Sequence, residues 1–302
     1  MREQNESTPD VEPVTGAYAL GERPAGQLPP AVEIDPNDPP WGVIAALLTW
    51  FGSVVLLYVV PIFFLIPYVM YKGANGGVNP AGLLEDKTAI FLAVLSTLPV
   101  HILTLGGVWA LVTRFGKRPF WRTLGWSWSR RVGFWTSAGL AVLLLAAGLA
   151  FTKLVGGEAT DLDKVIQNSA ASRITLALLA ALTAPLVEEL VYRGVLYPAM
   201  QRAAGMFWAV LIVAVLFTLP HVPQYMKNIG VIIVVFTLSL TLTLVRAFTG
   251  KLLPCFVMHM VFNGIQSVLI LVGPYVDQTV PEVEHKAPAL AALVQNFAHH
   301  LF

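Results

Sequence analysis

From Trp41 to the C-terminus the chain alternates long apolar runs with short polar breaks, and the runs exceed what a soluble helix or strand needs. A helix rising ~1.5 Å per residue crosses a ~30 Å hydrocarbon core with about 20 apolar residues. Seven runs predict such spans, near 41–71, 88–113, 132–152, 174–198, 206–220, 230–246 and 252–272. The first is overlong and contains Pro61 and Pro67, which predicts a kink or an interfacial turn. The last stretch, Pro288 to Phe302, is apolar but only 15 residues long, so it reads as a short eighth helix, a re-entrant piece or an interfacial one. The expected fold is all-α, a polytopic transmembrane bundle of seven to eight membrane helices. The runs show no obvious internal repeat, so an inverted-repeat transporter gains no support.

Composition agrees with the pattern. Charged residues make up 12% of the 302 positions and hydrophobic ones 56%, against roughly 25% charged in an average soluble domain. A net charge of +1 offers no cation excess for a nucleic-acid backbone, and the single Cys255 excludes an internal disulfide framework. The charge is unevenly spread. Residues 1–40 hold eight acids, two arginines and eight prolines, while the rest of the chain nets +7. With little apolar surface to offset ordering entropy, 1–40 is expected to be a disordered acidic Pro-rich tail. The remainder divides into N-terminal transmembrane helices (41–172), a core (173–272) and a loop with a short apolar helix (273–302). The 114–131 loop carries Arg114, Lys117, Arg118, Arg122, Arg130 and Arg131 without an acid, which predicts that it faces the cytoplasm. Alternating spans then put Arg193, Arg202, Arg246, Lys251 and the N-terminus on that side. The expectation is an integral multi-pass protein of the cell membrane with a cytoplasmic N-terminus and lipids as neighbours.

Of the ten acids beyond residue 40 only Glu188 and Glu189 lie inside an apolar span. An ionised side chain at mid-bilayer costs ~2.5–3.5 kcal/mol on insertion scales, so two adjacent ones need a polar cavity and partners. On a helix Glu189 and Arg193 are i,i+4 neighbours, while Glu188 points about 100° away. One carboxylate is expected to be structural and the other free, although both could simply neutralise Arg193. His221 ends the fifth span, and His259 with Asn263 shares one face of the seventh. Such groups also serve as interhelical packing devices.

Together, two carboxylates, two imidazoles and an amide suit peptide-bond hydrolysis. A desolvated glutamate can act as general base on water, an imidazole can orient that water, and an imidazole with an Asn amide can donate to an oxyanion. The competing arrangement uses Glu188 or Glu189 with His221 and His259 as three ligands of Zn²⁺ with a fourth position for water, Glu188 being the carboxylate expected there if zinc is bound. No His-Glu-x-x-His motif occurs. Counting ~1.5 Å per residue from the expected cytoplasmic edges puts Glu188 and His259 about 11–15 Å deep and His221 about 22 Å deep, a mismatch that a tilted or offset fifth helix would remove.

Glu188-Glu189-x-x-x-Arg193, Phe217-x-x-x-His221 and His259-x-x-x-Asn263, in this order and with Pro185 and Gly194 around the first, resemble the three motifs of the CAAX prenyl endopeptidase and bacteriocin-processing (CPBP, or Abi) family of intramembrane proteases. The resemblance covers about residues 174–270. It implies an intramembrane endopeptidase acting on a membrane-associated protein or peptide, prenylated CAAX-type chains included. By position, Glu188 would activate water beside His221, Glu189 and Arg193 would support that base, and His259 and Asn263 would stabilise the oxyanion. The family is commonly called a metalloprotease, and a metal-independent glutamate mechanism has also been argued for it. The use for Asn263 favours the glutamate version. A non-catalytic membrane scaffold or immunity factor, and a proton-coupled transporter, are the alternative readings.

Overall fold

The computed structural model describes residues 35–77, 80–83 and 85–279, and no strand occurs among them. Among the described residues six helices are long and apolar enough to cross a membrane: α1 (Val43–Ala74), α2 (Lys87–Thr113), α3 (Phe134–Val155), α4 (Ala170–Tyr225), α5 (Ile229–Thr249) and α6 (Leu253–Thr279). The chain is an integral membrane protein. Large apolar side chains such as Leu48, Phe51, Phe63, Leu143 and Phe248 face outward along these helices, as lipid contact requires. Local signals fix the ends. Asp86 accepts from the backbone N–H groups of Thr88 and Ala89 at 2.9 Å and starts α2, and Gly250 takes the left-handed conformation that ends α5. Pro61 and Pro67 both lie inside α1 without breaking it.

α4 unites the fourth and fifth apolar runs and folds double. Gly205 leaves the helical region with φ 79° and ψ 168°, and residues on either side of it meet again: the Tyr192 and Phe217 rings are 4.9 Å apart, and the Arg193 guanidinium lies 4.7 Å from the centre of the Phe217 ring. The two arms are therefore antiparallel, and the six described helices make seven passes. This corrects the depth mismatch. The fifth run does not start at a membrane edge; both arms are levelled by their common turn, with Glu188 17 positions before Gly205 and His221 16 after it.

The rising arm of α4 is the axis of the bundle, every residue from Glu189 to Met200 being buried. Leu190, Val195 and Leu196 pack there with Trp41 and Ala46 of the N-terminal side and with Val213 and Phe217 of the returning arm. A second cluster joins α3, α5 and α6 through Ala141, Leu145, Leu242, Met258 and Phe262.

Two expected boundaries move. The part of the tail from residue 35 to 40 is bound to the helix ends: Arg246 Nη1 donates to Asn37 Oδ1 at 2.8 Å and Nη2 to the Pro36 carbonyl at 3.0 Å, Arg202 reaches Asp38 and the carbonyls of Pro39 and Trp41, and Arg114 reaches the Pro40 carbonyl. A fully buried arginine needs acceptors for all its N–H groups. A proline-rich segment of irregular backbone supplies carbonyls that no helix has claimed. Likewise 273–279, expected as loop, continues α6; a proline forfeits one backbone hydrogen bond and does not have to end a membrane helix. The tail up to residue 34 and the expected segment Pro288–Phe302 lie outside the described residues.

Candidate active site

The rising arm of α4 is wound wide, with π-helical geometry, at Leu179–Thr183 and again at Leu190–Leu196, so Glu188 and Glu189 sit between two irregular turns. Such turns cluster at functional sites because they release backbone groups. Here a proline completes each release. The Ala184 N–H donates back to the Leu179 carbonyl, and Pro185 has no N–H, so the Ala180 carbonyl is left over and accepts from Asn263 Nδ2 at 3.1 Å. One further turn repeats the arrangement. The Tyr197 N–H donates to the Tyr192 carbonyl, Pro198 has none to give, and the Arg193 carbonyl accepts from Arg246 Nε at 3.2 Å. Each wide turn is thereby tied to α6 or α5 by a polar side chain.

Glu189 is sealed. It is fully buried, and its Oε1 accepts from Arg193 Nη1 and lies 2.9 Å from His259 Nδ1. Arg193, also fully buried, uses its other donors on α5: Nη2 reaches the Ser239 carbonyl at 2.8 Å and Ser239 Oγ at 2.7 Å, and Nε reaches Thr243 Oγ1 at 3.2 Å. Phe217 lies against the guanidinium and against the rings of Tyr192, His221 and His259. A cation over a ring face in a desolvated site contributes ~2 kcal/mol, so this phenylalanine belongs to the polar cluster despite its apolar side chain.

Glu188 is open. Its side chain keeps 25% of its exposure and its Oε2 stands 3.7 Å from His259 Nε2. It lines two cavities. The smaller, of about 100 Å³, is bounded by Glu188, His221, His259, Asn263, Gln266 and Tyr225 among others. The larger, of about 290 Å³, shares Glu188, His221, Tyr225 and Asn263 and adds His101, Tyr192 and the α2 and α1 walls. His221 hangs from its own helix, Nδ1–H donating to the Phe217 carbonyl at 2.8 Å, with its ring stacked on Phe217. That bond fixes the tautomer and leaves Nε2 as an acceptor.

The structure thus brings all six sequence-derived residues, Glu188, Glu189, Arg193, His221, His259 and Asn263, to one place: Glu189, Arg193 and His259 bonded to one another, Glu188 beside His259, His221 and Asn263 on the shared cavity walls. The trio considered as zinc ligands, Glu188, His221 and His259, is not assembled as such. Among the described residues no three His, Cys, Asp or Glu side chains form a group that could hold a metal ion. His259 and His221 each spend Nδ1, on Glu189 and on a carbonyl, and keep Nε2 open. Sequence reasoning missed His101, a third imidazole in the same cavity, and the anchors Ser239, Thr243 and Arg246. His101 was visible as a histidine inside an apolar run, and Ser239 with Thr243 as a polar pair at i,i+4.

No curated protein and no solved structure matches the chain. Residues 170–265 match a family model. That segment runs from the start of α4 into α6 and contains every one of the six residues, and over it the chain is similar to the family described as Type II CAAX prenyl endopeptidase Rce1-like.

Proposed function

We propose that the protein is an intramembrane endopeptidase that hydrolyses a peptide bond with water activated by Glu188. One observation carries the reading: of two adjacent carboxylates, Glu189 is neutralised and closed off, whereas Glu188 stands at the junction of two cavities beside two imidazoles. The small cavity has room for a few waters at ~30 Å³ each, and the large one for a stretch of peptide. In this scheme water in the small cavity gives its proton to Glu188, with His221 Nε2 accepting its second O–H, and attacks a carbonyl held in the large cavity. Asn263 has one amide N–H left after binding Ala180. With His259 protonated, its Nε2–H is a second donor to the oxyanion, and the quartet of Glu188, Glu189, Arg193 and His259 carries no net charge. Loss of one such donor typically costs ~2.7–4 kcal/mol of barrier. Glu188 then returns its proton to the leaving amine. No step requires a metal ion.

The family description, together with an apolar cavity of about 550 Å³ that shares Thr97, Leu162, Leu176 and Gln224 with the large one, supports a substrate carrying an apolar group next to the cleaved chain, such as a prenylated CAAX-type peptide. The cation-rich helix ends support a cell-membrane protein with a cytoplasmic N-terminus. The test is cleavage of a quenched fluorogenic peptide ending in farnesyl-Cys-Val-Ile-Ser by the purified protein in lipid vesicles, alongside a comparison of membrane peptides from cells carrying wild type or Glu188→Gln. Cleavage and peptide differences that vanish with Glu188→Gln support the reading; a Glu188→Gln protein as active as wild type overturns it.

A further inference from the structure

The large cavity has a wall that the six-residue site does not use. On α2, Thr97, His101 and Thr104 occupy one face at i, i+4 and i+7, and all three line the cavity opposite the α4 residues. The helix around them is apolar, from Ile90 to Val112. His101 is 7% exposed and is held in one orientation. Its Nδ1 lies 2.8 Å from Thr183 Oγ1, and Thr183 Oγ1 in turn donates to the Leu179 carbonyl at 3.2 Å. Because the threonine proton is directed to that carbonyl, the oxygen accepts from His101, so Nδ1 carries the proton and Nε2 is a bare acceptor. Thr183 ends the same wide turn that releases the Ala180 carbonyl to Asn263, so one irregular turn positions a group on each side of the cavity. Thr104 Oγ1 is buried and has no hydrogen-bond partner. Buried hydroxyls rarely stay unsatisfied, and one facing a cavity is available to a bound chain.

Spacing adds a second constraint. Thr97 to His101 is a rise of ~6 Å and Thr97 to Thr104 ~10.5 Å. An extended chain advances ~3.3 Å per residue and repeats its backbone groups on one side every second residue, at ~6.6 Å. The row therefore spans about three residues of an extended peptide lying along α2, its Thr97–His101 step coming near the two-residue repeat and the shorter step of ~4.5 Å from His101 to Thr104 reaching a neighbouring group. We infer that His101, with Thr104, forms a backbone-binding rail for the substrate, His101 Nε2 accepting a peptide N–H and Thr104 serving as an adjacent polar contact, so that a carbonyl is presented to Glu188 across the cavity. A packing role alone would account for the His101–Thr183 bond but not for an unpartnered threonine one turn away on the same wall.

The inference rests on the hydrolase reading and is tested with the same farnesylated fluorogenic peptide in vesicles. His101→Ala is expected to raise KM about tenfold, the size of one hydrogen bond, with kcat within about threefold of wild type; His101→Gln, whose amide oxygen can accept, restores most of the loss. A set of probes N-methylated at one backbone position each should contain one position that raises the wild-type KM about tenfold and leaves the His101→Ala KM unchanged. If His101→Ala fails to fold, Thr183→Val, which removes the partner that fixes the imidazole, should show the same KM defect and the same indifference to that methyl group. Wild-type kinetic constants in the folded His101→Ala and Thr183→Val proteins, a loss confined to kcat, or equal sensitivity of mutant and wild type to every methyl position overturns the rail. Should Glu188→Gln cleave the probe as wild type does, the hydrolase reading falls and the rail with it; should Glu188→Gln be inactive while the His101 variants keep their KM, the rail alone falls.

Discussion

Glu188 and Glu189 are neighbours in sequence and opposites in environment. The Glu189 side of α4 is a closed ionic lattice that runs through Arg193 to Ser239 and Thr243, and on through the Arg193 carbonyl to Arg246, Asn37 and Pro36. The Glu188 side opens onto two cavities with no arginine among the described residues that line them. Turning the chain by one residue, about 100°, separates a charge that holds helices together from one that is free to exchange a proton. The lesson is that a carboxylate pair in a membrane gains reactivity at one member because the other absorbs the available cation.

The sharpest way to break this comparison is to remove the cation. Arg193→Leu leaves Glu189 as a buried charge whose main partner is gone, and breaking a buried pair typically costs ~3–5 kcal/mol. Since whole domains are stable by only ~5–15 kcal/mol, the expected outcome is little or no monodisperse protein on size-exclusion chromatography in detergent. The double variant Arg193→Leu, Glu189→Leu should recover part of the folded yield without recovering cleavage. If Arg193→Leu alone yields normal folded protein, the lattice does not have the structural role assigned to it.

Removing the open carboxylate should do the reverse. Glu188→Gln keeps the shape and loses the base, so folding and thermal stability in detergent should match wild type while cleavage of the farnesylated probe falls by ~10²–10⁴-fold, the usual contribution of general base catalysis. His221→Ala should lose activity by a smaller factor, about tenfold or more, because it would orient the water without accepting its proton. Comparable stability loss in Glu188→Gln and Arg193→Leu would erase the distinction between the two sides.

How much of this could be read from the chain depends on the range of the interaction. The spans, the oddity of two acids in one of them, and the i,i+4 relation of Glu189 to Arg193 are local and periodic, so they were legible. The depth of His221 was not, because it depends on Gly205 turning the chain beyond the assumed membrane edge, a long-range fact that a per-residue rise cannot supply. His101 was passed over because it lies far from the motifs in sequence and meets Thr183 only in the folded bundle. Pro185 and Pro198 were visible as residues, but their use, stripping a donor from carbonyls already displaced by a wide turn, needs the backbone register to be seen. The fate of 35–40 turned on Arg246, whose burial no local pattern announces.

A charge pair outside the bundle sets the lower end of the scale. Asp86 caps α2, accepts from Tyr68 Oη at 2.9 Å and pairs with Lys72, and the Lys72 ammonium beside it, followed by the backbone N–H of Ala89, holds its carboxyl well below the usual carboxylate range. Being only partly buried, at 39% and 14% side-chain exposure, the pair itself contributes little; Asp86→Ala should cost about 1 kcal/mol, chiefly the lost cap. A depressed folded-state carboxyl adds stability above its ordinary titration range and loses it as pH falls through the depressed value. The wild-type advantage over Asp86→Ala in thermal melts should thus persist at neutral pH and shrink on strong acidification. An Asp86→Ala loss as large as that of Arg193→Leu would mean that burial is not what separates these two ion pairs.

The smallest expected effect is that of a chelator. On the open side, no three His, Cys, Asp or Glu side chains among the described residues are gathered to share a divalent ion, although His259 and His221 spend only Nδ1, on Glu189 and the Phe217 carbonyl, and keep Nε2 open. A zinc site takes at least three protein ligands at ~2.0–2.2 Å; Glu188 Oε2 and His259 Nε2 stand 3.7 Å apart, and among the described residues no third such ligand is assembled with them. Cleavage of the farnesylated probe should therefore be unchanged after incubation with a strong chelator, and elemental analysis of the active protein should find zinc well below one per chain. Stoichiometric zinc whose removal abolishes cleavage and whose return restores it would replace water activation by Glu188 with activation by a metal, and the contrast between the two glutamates would then be one between a ligand and its support.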